Sequence, residues 1–345
     1  MANKLPTINE IAKRLNIAAS TVSRALHEHP SIGLRTKMRV QQLAKELDYQ
    51  PNQRAIFFQQ RKTFSIGVML PDLSEAFFSA AISGIEDTAF ENNYTVLLAQ
   101  SNNKEERERR ILDTFKTHRV DGVLISIGKD ISSYDHFESM KKYDIPVVFF
   151  DRIPKLNDIH YVAVDMATGS KEAVDLLLKK GHRVIGMING PDTLLASQQR
   201  LEGYINALKK NRLKFDPSMI VSSNLTRQNT EEAIQRLLSA KRKPTAIVTF
   251  NDYVALDAIK YVKKQNMVVD KDITFVSYAN LPMTPYLESQ PLASVEQFPY
   301  LQGQKAMELL LDLIAGQHED GANNTSYQKI IVKSKLVIHN KPDDH

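Results

Sequence analysis

From residue 64 to the end of the chain, short apolar segments alternate with longer amphipathic ones. Apolar runs rich in β-branched residues are typical of strands buried on both faces of a sheet, and the segments between them have helical spacing. This alternation predicts two doubly wound parallel α/β subdomains. The predicted strands are residues 65–70, 94–99, 122–126, 146–150, 161–164, 184–188, 219–222, 246–250, 273–277, 328–333 and 335–338, with a long helix over 300–314.

The length and composition exclude several classes of protein. A chain of 345 residues with 42% hydrophobic and 25% charged residues suits two or three globular domains. The absence of cysteine excludes disulfides and thiolate metal sites. The N-terminal segment has no apolar run of signal-peptide length, and no run of about 18 apolar residues follows it. We therefore expect a cytoplasmic protein that does not enter a membrane.

Residues 7–54 differ from the rest because they predict short helices in a small all-α domain. Thr7 followed by Glu10 has the spacing of a capping box, in which each side chain bonds the other residue's amide. Asn16 tolerates the left-handed conformation of a tight turn between the first helix and a second helix over 19–26. Two short helices joined in this way predict a helix-turn-helix, whose second helix enters the DNA major groove.

A third helix over 34–47 completes this domain, and its predicted core residues are Met38, Val40, Leu43, Ala44 and Leu47. Helical spacing alone also fits a three-helix bundle without a ligand. Charge favours the DNA-binding interpretation. Residues 1–62 contain eleven Lys and Arg but four Asp and Glu, a net charge of +7, whereas the whole chain has +5 and the remainder therefore −2. A basic segment on a near-neutral protein is typical of a nucleic-acid reader.

The basic segment resembles the DNA-binding head of the lac repressor family of bacterial transcription regulators. The resemblance is carried, in this order, by Thr7-Ile8, Ile11-Ala12, Thr21-Val22-Ser23-Arg24 and Tyr49-x-Pro51-Asn52. Ala18 and Gly33 depart from the family pattern, which has a serine at each position. Each missing serine cap should cost about 1 kcal/mol or less, so we expect a head that is loosely folded until DNA orders it.

The resemblance implies which head residues contact DNA. Arg24 is expected to read guanine through two parallel hydrogen bonds. Residues 51–62 are expected to form a hinge helix that inserts Phe58 into the minor groove as a wedge. The alternative for Phe58 is packing against the large domain. The implied DNA-binding residues are Thr7, Ala19, Ser20, Thr21, Ser23, Arg24, His27, Thr36, Asn52 and Phe58.

The resemblance also implies the organisation of the whole chain. Residues 1–50 are the helix-turn-helix domain, 51–62 the hinge helix, and 63–340 an effector-binding domain with the fold of type I periplasmic sugar-binding proteins. Its N-subdomain is expected at about 63–161 plus 293–325, and its C-subdomain at about 162–291 plus 326–340. The chain would then cross between the subdomains near Val162, Leu292 and Ser326.

The sequence contains no motif for catalysis. There is no glycine-rich phosphate loop between a strand and a helix, no GxSxG and no HExxH, and the nine histidines lack metal-ligand spacing. We therefore expect no enzyme activity, no cofactor and no metal. Two alternatives remain open, a solute-binding protein of a transporter and an enzyme that acts on sugars.

In open parallel sheets, ligands bind beyond the carboxyl ends of the strands, where this chain has polar and aromatic residues. Such groups suit a sugar or sugar derivative, although Asp and Asn after a strand are also common helix caps. Ala279 and Leu225 replace an Asp and an aromatic residue that relatives often use, which argues against copying a known effector. The predicted effector-binding residues are Phe77, Phe78, Asp151, Arg152, Asp165, Arg200, Asn251, Asp252 and Asn280.

The predicted function is a sequence-specific DNA-binding regulator of transcription, allosterically controlled by a small molecule bound between the two subdomains. One head buries little surface, so a homodimer on a pseudo-palindromic operator is expected. The C-terminal residues 339–345 lack a leucine heptad, which favours a dimer over a tetramer.

Overall fold

The computed structural model describes residues 6–49, 62–131, 133–316 and 326–339. By its internal contacts the chain divides into two compact units, Met1–Thr63 and Phe64–His345, which we call the head and the body. Asn52, Phe58 and nearly all of the predicted hinge helix lie outside the described residues. Their roles therefore stay predictions.

The described part of the head contains three helices, α1 (Ile8–Leu15), α2 (Ala19–Leu26) and α3 (Leu34–Glu46). Thr7 caps α1, because its side chain accepts a hydrogen bond from the Glu10 amide at 3.3 Å. The Glu10 carboxylate accepts from Arg14 at 2.7 Å instead of reaching back to Thr7, so only half of the predicted capping box forms. Asn16 ends α1 with φ 53° and ψ 47°, the predicted left-handed turn.

The head core is small and consists of Ile11, Ala12, Val22, Ala25, Val40 and Ala44. The prediction that Met38 belongs to it is wrong, since Met38 is 60% exposed. Met38 lies two residues from Val40, which is about 200° around a helix, so the two side chains point in opposite directions. No side chain caps α2 or α3, which begin after Ala18 and Gly33, as the sequence predicted.

The body alternates strands and helices as predicted, with one further strand at Ala293–Glu296 that the sequence did not predict. Its strands are β1 (Ser65–Leu70), β2 (Thr95–Gln100), β3 (Gly122–Ile125), β4 (Val147–Phe150), β5 (His160–Val164), β6 (Ile185–Asn189), β7 (Ile220–Ser222), β8 (Ala246–Thr249), β9 (Thr274–Tyr278), β10 (Ala293–Glu296), β11 (Lys329–Val332) and β12 (Lys335–Ile338). Its helices are α4 (Ala76–Glu91), α5 (Glu105–His118), α6 (Asp135–Lys141), α7 (Met166–Lys179), α8 (Leu195–Lys210), α9 (Arg227–Leu238), α10 (Asp252–Lys264) and α11 (Pro299–Gly316). In the parts of the chain just given, no helix is both long and apolar enough to span a bilayer.

The strands form two six-stranded sheets. The first has the order β11-β5-β4-β3-β1-β2 and the second β12-β10-β9-β8-β6-β7. All neighbouring strands are parallel except β12, which runs antiparallel to β10. We call the two halves lobe A and lobe B. The predicted α/β class with two doubly wound subdomains is confirmed.

The chain crosses between the lobes at other points than the sequence suggested. β5 stays in lobe A and β10 stays in lobe B, so the first two crossings follow these strands instead of preceding them. The third crossing lies between β11, which pairs with β5, and β12, which pairs with β10. The two final strands were both expected in the C-subdomain, but each completes a different lobe. Strand pairing between distant residues leaves no mark in local periodicity, which explains the difference.

Each lobe contains a pair of helices that approach closely through glycine. In lobe A, a Cβ on Gly303 of α11 would lie 2.0 Å from the Ala81 carbonyl oxygen of α4. In lobe B, a Cβ on Gly203 of α8 would lie 2.2 Å from the Ala167 carbonyl oxygen of α7. Backbone cannot retreat as a flexible side chain can, so only glycine permits these two contacts.

We expect Gly303→Ala to destabilise the body by about 1–3 kcal/mol or more, because the new methyl group forces α11 away from α4. Urea unfolding followed by circular dichroism measures the change. Gly316→Ala, near the end of the same helix, is the matched control, since a Cβ there has no neighbour within 4 Å. Equal stability of the two variants would contradict the close helix contact.

Candidate functional site

The second helix of the head presents the surface predicted to read DNA. Val22 and Ala25 of α2 are completely buried, and this fixes which side of the helix faces outward. Ser20, Arg24, Thr7 and His27 are exposed, whereas Ala19, Thr21, Ser23 and Thr36 are half-buried. Ala19 was expected to face outward but packs partly against the head core. The DNA-reading roles of all these residues stay predictions.

In the body, Arg200 of α8 is the most unusual of the predicted effector residues. It is only 3% exposed, and its guanidinium lies 3.9 Å from the ring centroid of Phe250 and 4.3 Å from that of Tyr278. Within the described chain, its buried Nε and Nη1 atoms have no acceptor. Burial lowers the pKa of Arg200 to about 10, although the charged form persists at neutral pH. A buried cation with two unused donors is costly unless a ligand accepts from it.

Lobe A contributes Asp151 and Arg152, which directly follow β4. Arg152 donates to both carboxylate oxygens of Glu75 at 2.8 and 2.9 Å, and its guanidinium lies 5.2 Å from the Phe78 ring centroid. The charges of Asp151 in lobe A and Arg200 in lobe B interact. Burial raises the pKa of the Asp151 carboxyl to about 6. We call this region the cleft.

The raised pKa of Asp151 predicts a pH dependence of stability. The unfolded pKa is about 3.9, so ionising Asp151 is harder in the folded body, and stability is lost as pH rises from about 4 through 6. Asp151→Asn should therefore be as stable as the parent near pH 4 and about 1–3 kcal/mol more stable at pH 7. Urea unfolding at both pH values measures this, with the exposed Asp312→Asn as control. A pH-independent difference would contradict the prediction.

The other predicted effector residues have structural partners. Asp165 and Asn251 cap helices by accepting from the Thr168 and Val254 amides. The completely buried Asp252 accepts from Ser277, from Ser294 at 2.7 Å and from the Leu281 amide at 2.7 Å. Asn280 donates to Glu296 at 2.7 Å. These four side chains already bond to groups of lobe B, which favours a structural role for them over ligand binding. The aromatic pair divides, since Phe78 is buried in the core while Phe77 is half-buried beside it.

Sequence reasoning missed several polar groups around Arg200. The hydroxyl of Ser197 and the side-chain oxygen of Asn189 are buried, and the described residues provide no partner for them. Asn189 ends the buried strand β6, so a polar residue at the last position of an apolar strand was the available signal. Glu75 lies in the loop before α4, where no pattern marked it.

A large cavity of about 650 Å³ lies away from the cleft. Its lining includes Pro146, Val147 and His160, at the amino ends of β4 and β5, which is the opposite edge of the lobe A sheet. It therefore does not belong to the cleft. In the described parts of the chain, no group of three or more His, Asp or Glu side chains could hold a metal ion.

Both units match known families. Residues 7–52 match the family described as "Bacterial regulatory proteins, lacI family", and residues 63–340 match "Periplasmic binding proteins and sugar binding domain of LacI family". The HTH-type transcriptional repressor CytR of Escherichia coli (strain K12) is 30% identical over 327 residues, 95% of this chain and 95% of that protein. Catabolite control protein A of Priestia megaterium is 30% identical over 305 residues, 88% of this chain and 91% of that protein.

Solved structures share the fold. The crystal structure of the lac repressor dimer bound to operator and the anti-inducer ONPF aligns with a TM-score of 0.81. The alignment covers 97% of this chain and 98% of that chain at 22% identity. At this identity the likeness establishes the architecture only.

Proposed function

This chain belongs to the lacI family of bacterial regulatory proteins, and from that membership we propose how its two units work together. It is a DNA-binding regulator of transcription with a small-molecule-binding body. We propose that it is a repressor, that it acts in the cytoplasm, where bacterial DNA lies, and that it catalyses no reaction. We propose the domain limits 1–50, 51–62 and 63–340 for the head, the hinge and the effector-binding body.

We propose that the head reads DNA through the outward side of α2, with Arg24 on a guanine and the neighbouring hydroxyls on phosphates. The net charge of +7 over residues 1–62 supports this. Each Lys or Arg that contacts a phosphate releases counterions from the DNA, and this release favours binding. A homodimer on a pseudo-palindromic operator is the arrangement that matches two such heads.

We propose that the effector is an uncharged sugar or sugar derivative bound in the cleft. The observation that carries this is Arg200, a buried guanidinium with two unused donors between two aromatic rings. Hydroxyl groups accept from such donors, and an aromatic face covers the apolar side of a sugar ring. The positive charges in the cleft already have negative partners, since Arg152 is paired with Glu75 and the charge of Arg200 interacts with that of Asp151. The ligand should therefore be uncharged.

A thermal-shift screen of the full-length protein tests this proposal. The panel contains D-ribose, D-glucose and cellobiose together with D-ribose 5-phosphate and D-glucose 6-phosphate. A ligand at about 100 times its Kd stabilises the native state by about 2.7 kcal/mol, so binding is visible as a higher melting temperature. We expect an uncharged sugar to give a shift and its phosphate to give none. Shifts with the phosphates alone would show that the effector is an anion.

A further inference from the structure

Beyond the ligand contacts, we propose that Lys129 is a positioning residue that clasps lobe A to lobe B and so sets the closure of the cleft. Lys129 lies in lobe A, in the loop between β3 and α6. Its amide, its carbonyl and its Nζ each make a hydrogen bond, and the bonds of the carbonyl and the Nζ are to residues of lobe B. The inference concerns the empty protein and does not depend on the identity of the effector.

The contacts of Lys129 with lobe B involve two separate loops. Its Nζ donates to the Asn224 carbonyl at 2.7 Å, in the loop between β7 and α9. Its own carbonyl accepts from the Thr193 hydroxyl at 2.5 Å, in the loop between β6 and α8. Both loops follow the carboxyl ends of lobe B strands. One residue therefore holds both of these loops at the cleft.

The loop that carries Lys129 is itself anchored firmly in lobe A. The preceding residue, Gly128, donates its amide to the completely buried Glu108 carboxylate at 2.8 Å. The other oxygen of Glu108 lies 3.0 Å from Nε2 of His136, which is also buried. A Cβ on residue 128 would lie 2.8 Å from the Cα of Asn103, so glycine is required for this close approach. The loop that carries Lys129 is therefore held in place by contacts within lobe A.

Asn103 connects Lys129 to the cleft. The Asn103 side-chain oxygen accepts from the Lys129 amide at 3.0 Å and lies 3.5 Å from Nη1 of Arg152. Arg152 is the residue whose guanidinium holds Glu75 within the cleft. A ligand that moves Arg152 therefore acts on the residue that positions the Lys129 backbone. This contact path couples the occupancy of the cleft to the closure of the lobes.

In the described chain, side-chain hydrogen bonds at two other places also join the two lobes. The Tyr253 hydroxyl accepts from the Ala76 amide at 3.4 Å, and Lys155 donates to the Asp192 carbonyl at 3.2 Å. Each joins one loop to one partner and is longer than either Lys129 contact. We therefore assign the main polar restraint on opening to Lys129.

The experiment measures the distance between lobes by pulsed electron paramagnetic resonance. Because the chain has no cysteine, spin labels attach only at Arg107→Cys in α5 and Arg236→Cys in α9, both exposed. Labelled chains are exchanged into excess unlabelled protein, so that only distances within one chain are observed. The full-length protein is measured without ligand in three variants, Lys129→Met, Lys129→Arg and Thr193→Val.

Lys129→Met should raise the ratio of open to closed forms by roughly 10- to 150-fold, the effect of losing one hydrogen bond from a charged donor. Lys129→Arg, which can still donate to Asn224, should restore the parental distances. Thr193→Val removes the second contact without changing Lys129 and should also lengthen the distances. If Lys129 stabilised only its own loop, the distance between the labels would change equally in all three variants or in none. Parental distances in both Lys129→Met and Thr193→Val would overturn the proposal.

Discussion

Arg200→Met is expected to abolish the response of the body to its effector and, at the same time, to make the empty body more stable. The two effects have one cause. Arg200 is 3% exposed, and its Nε and Nη1 atoms lack acceptors in the described chain, so the empty body carries a buried charge without full compensation. Methionine has a similar length and packs well against aromatic rings such as Phe250 and Tyr278.

The expected gain is about 1–3 kcal/mol, the cost of burying a polar group whose donors have no acceptor. For a body of this size that is a rise of roughly 2–4 °C in melting temperature per kcal/mol. The loss of two charged donors should weaken sugar binding by more than about 100-fold. Thermal shift with and without D-ribose, D-glucose or cellobiose measures both effects. Arg242→Met, an exposed position in lobe B, should change neither. An unaltered ligand shift in Arg200→Met would remove Arg200 from the effector site.

Arg24→Ala is expected to reduce specific DNA binding by about 1–3 kcal/mol, roughly 5- to 150-fold, without unfolding the head. Arg24 is exposed, so its removal leaves the buried contacts of Val22 and Ala25 intact. Fluorescence anisotropy on a duplex selected from random sequence, and on a scrambled duplex, separates the two kinds of contact. A base-reading residue changes the first affinity far more than the second.

Lys45→Ala is the control, because it removes a positive charge at the other end of the head sequence, in the last turn of α3. It should lower both affinities slightly and equally, as the loss of general electrostatic attraction does. If Arg24→Ala behaved in the same way as Lys45→Ala, Arg24 would hold phosphate instead of reading a base.

Much of the fold was predictable because burial leaves local marks in the sequence. The apolar run at 65–70 predicts a strand, and the structure has β1 at Ser65–Leu70. The motif from Thr7 to Asn52 is specific enough to indicate the family from the sequence alone. Spacing also located the turn at Asn16, where few residues other than glycine adopt φ 53° easily.

The chain crossings were not predictable, because they depend on which distant strands pair. β10, which the sequence did not predict as a strand, is assigned to lobe B by its pairing with β9 and β12. Met38 was misplaced for a related reason. A helix with few apolar residues gives no clear direction for its inner face, and the packing partners decide.

The cleft was predictable only in part, because helix caps and ligand contacts use the same residues at the same places. Asp165 and Asn251 follow strands and are helix caps, whereas Asp151 follows a strand and its charge interacts with that of Arg200. Nothing in the sequence separates these cases. Lys129 was missed because its role depends on loops of the other lobe that approach it only in the folded body.

The interleaved path of the chain through the body limits how such proteins can recombine. Lobe A needs α11 and β11 from the end of the chain, and lobe B needs β12 from beyond them, so no single cut yields either lobe complete. The head is one continuous stretch and can be grafted onto a foreign body through a single junction. We therefore expect that relatives can exchange DNA specificity by exchanging heads, whereas lobe A or lobe B cannot be exchanged as one continuous segment.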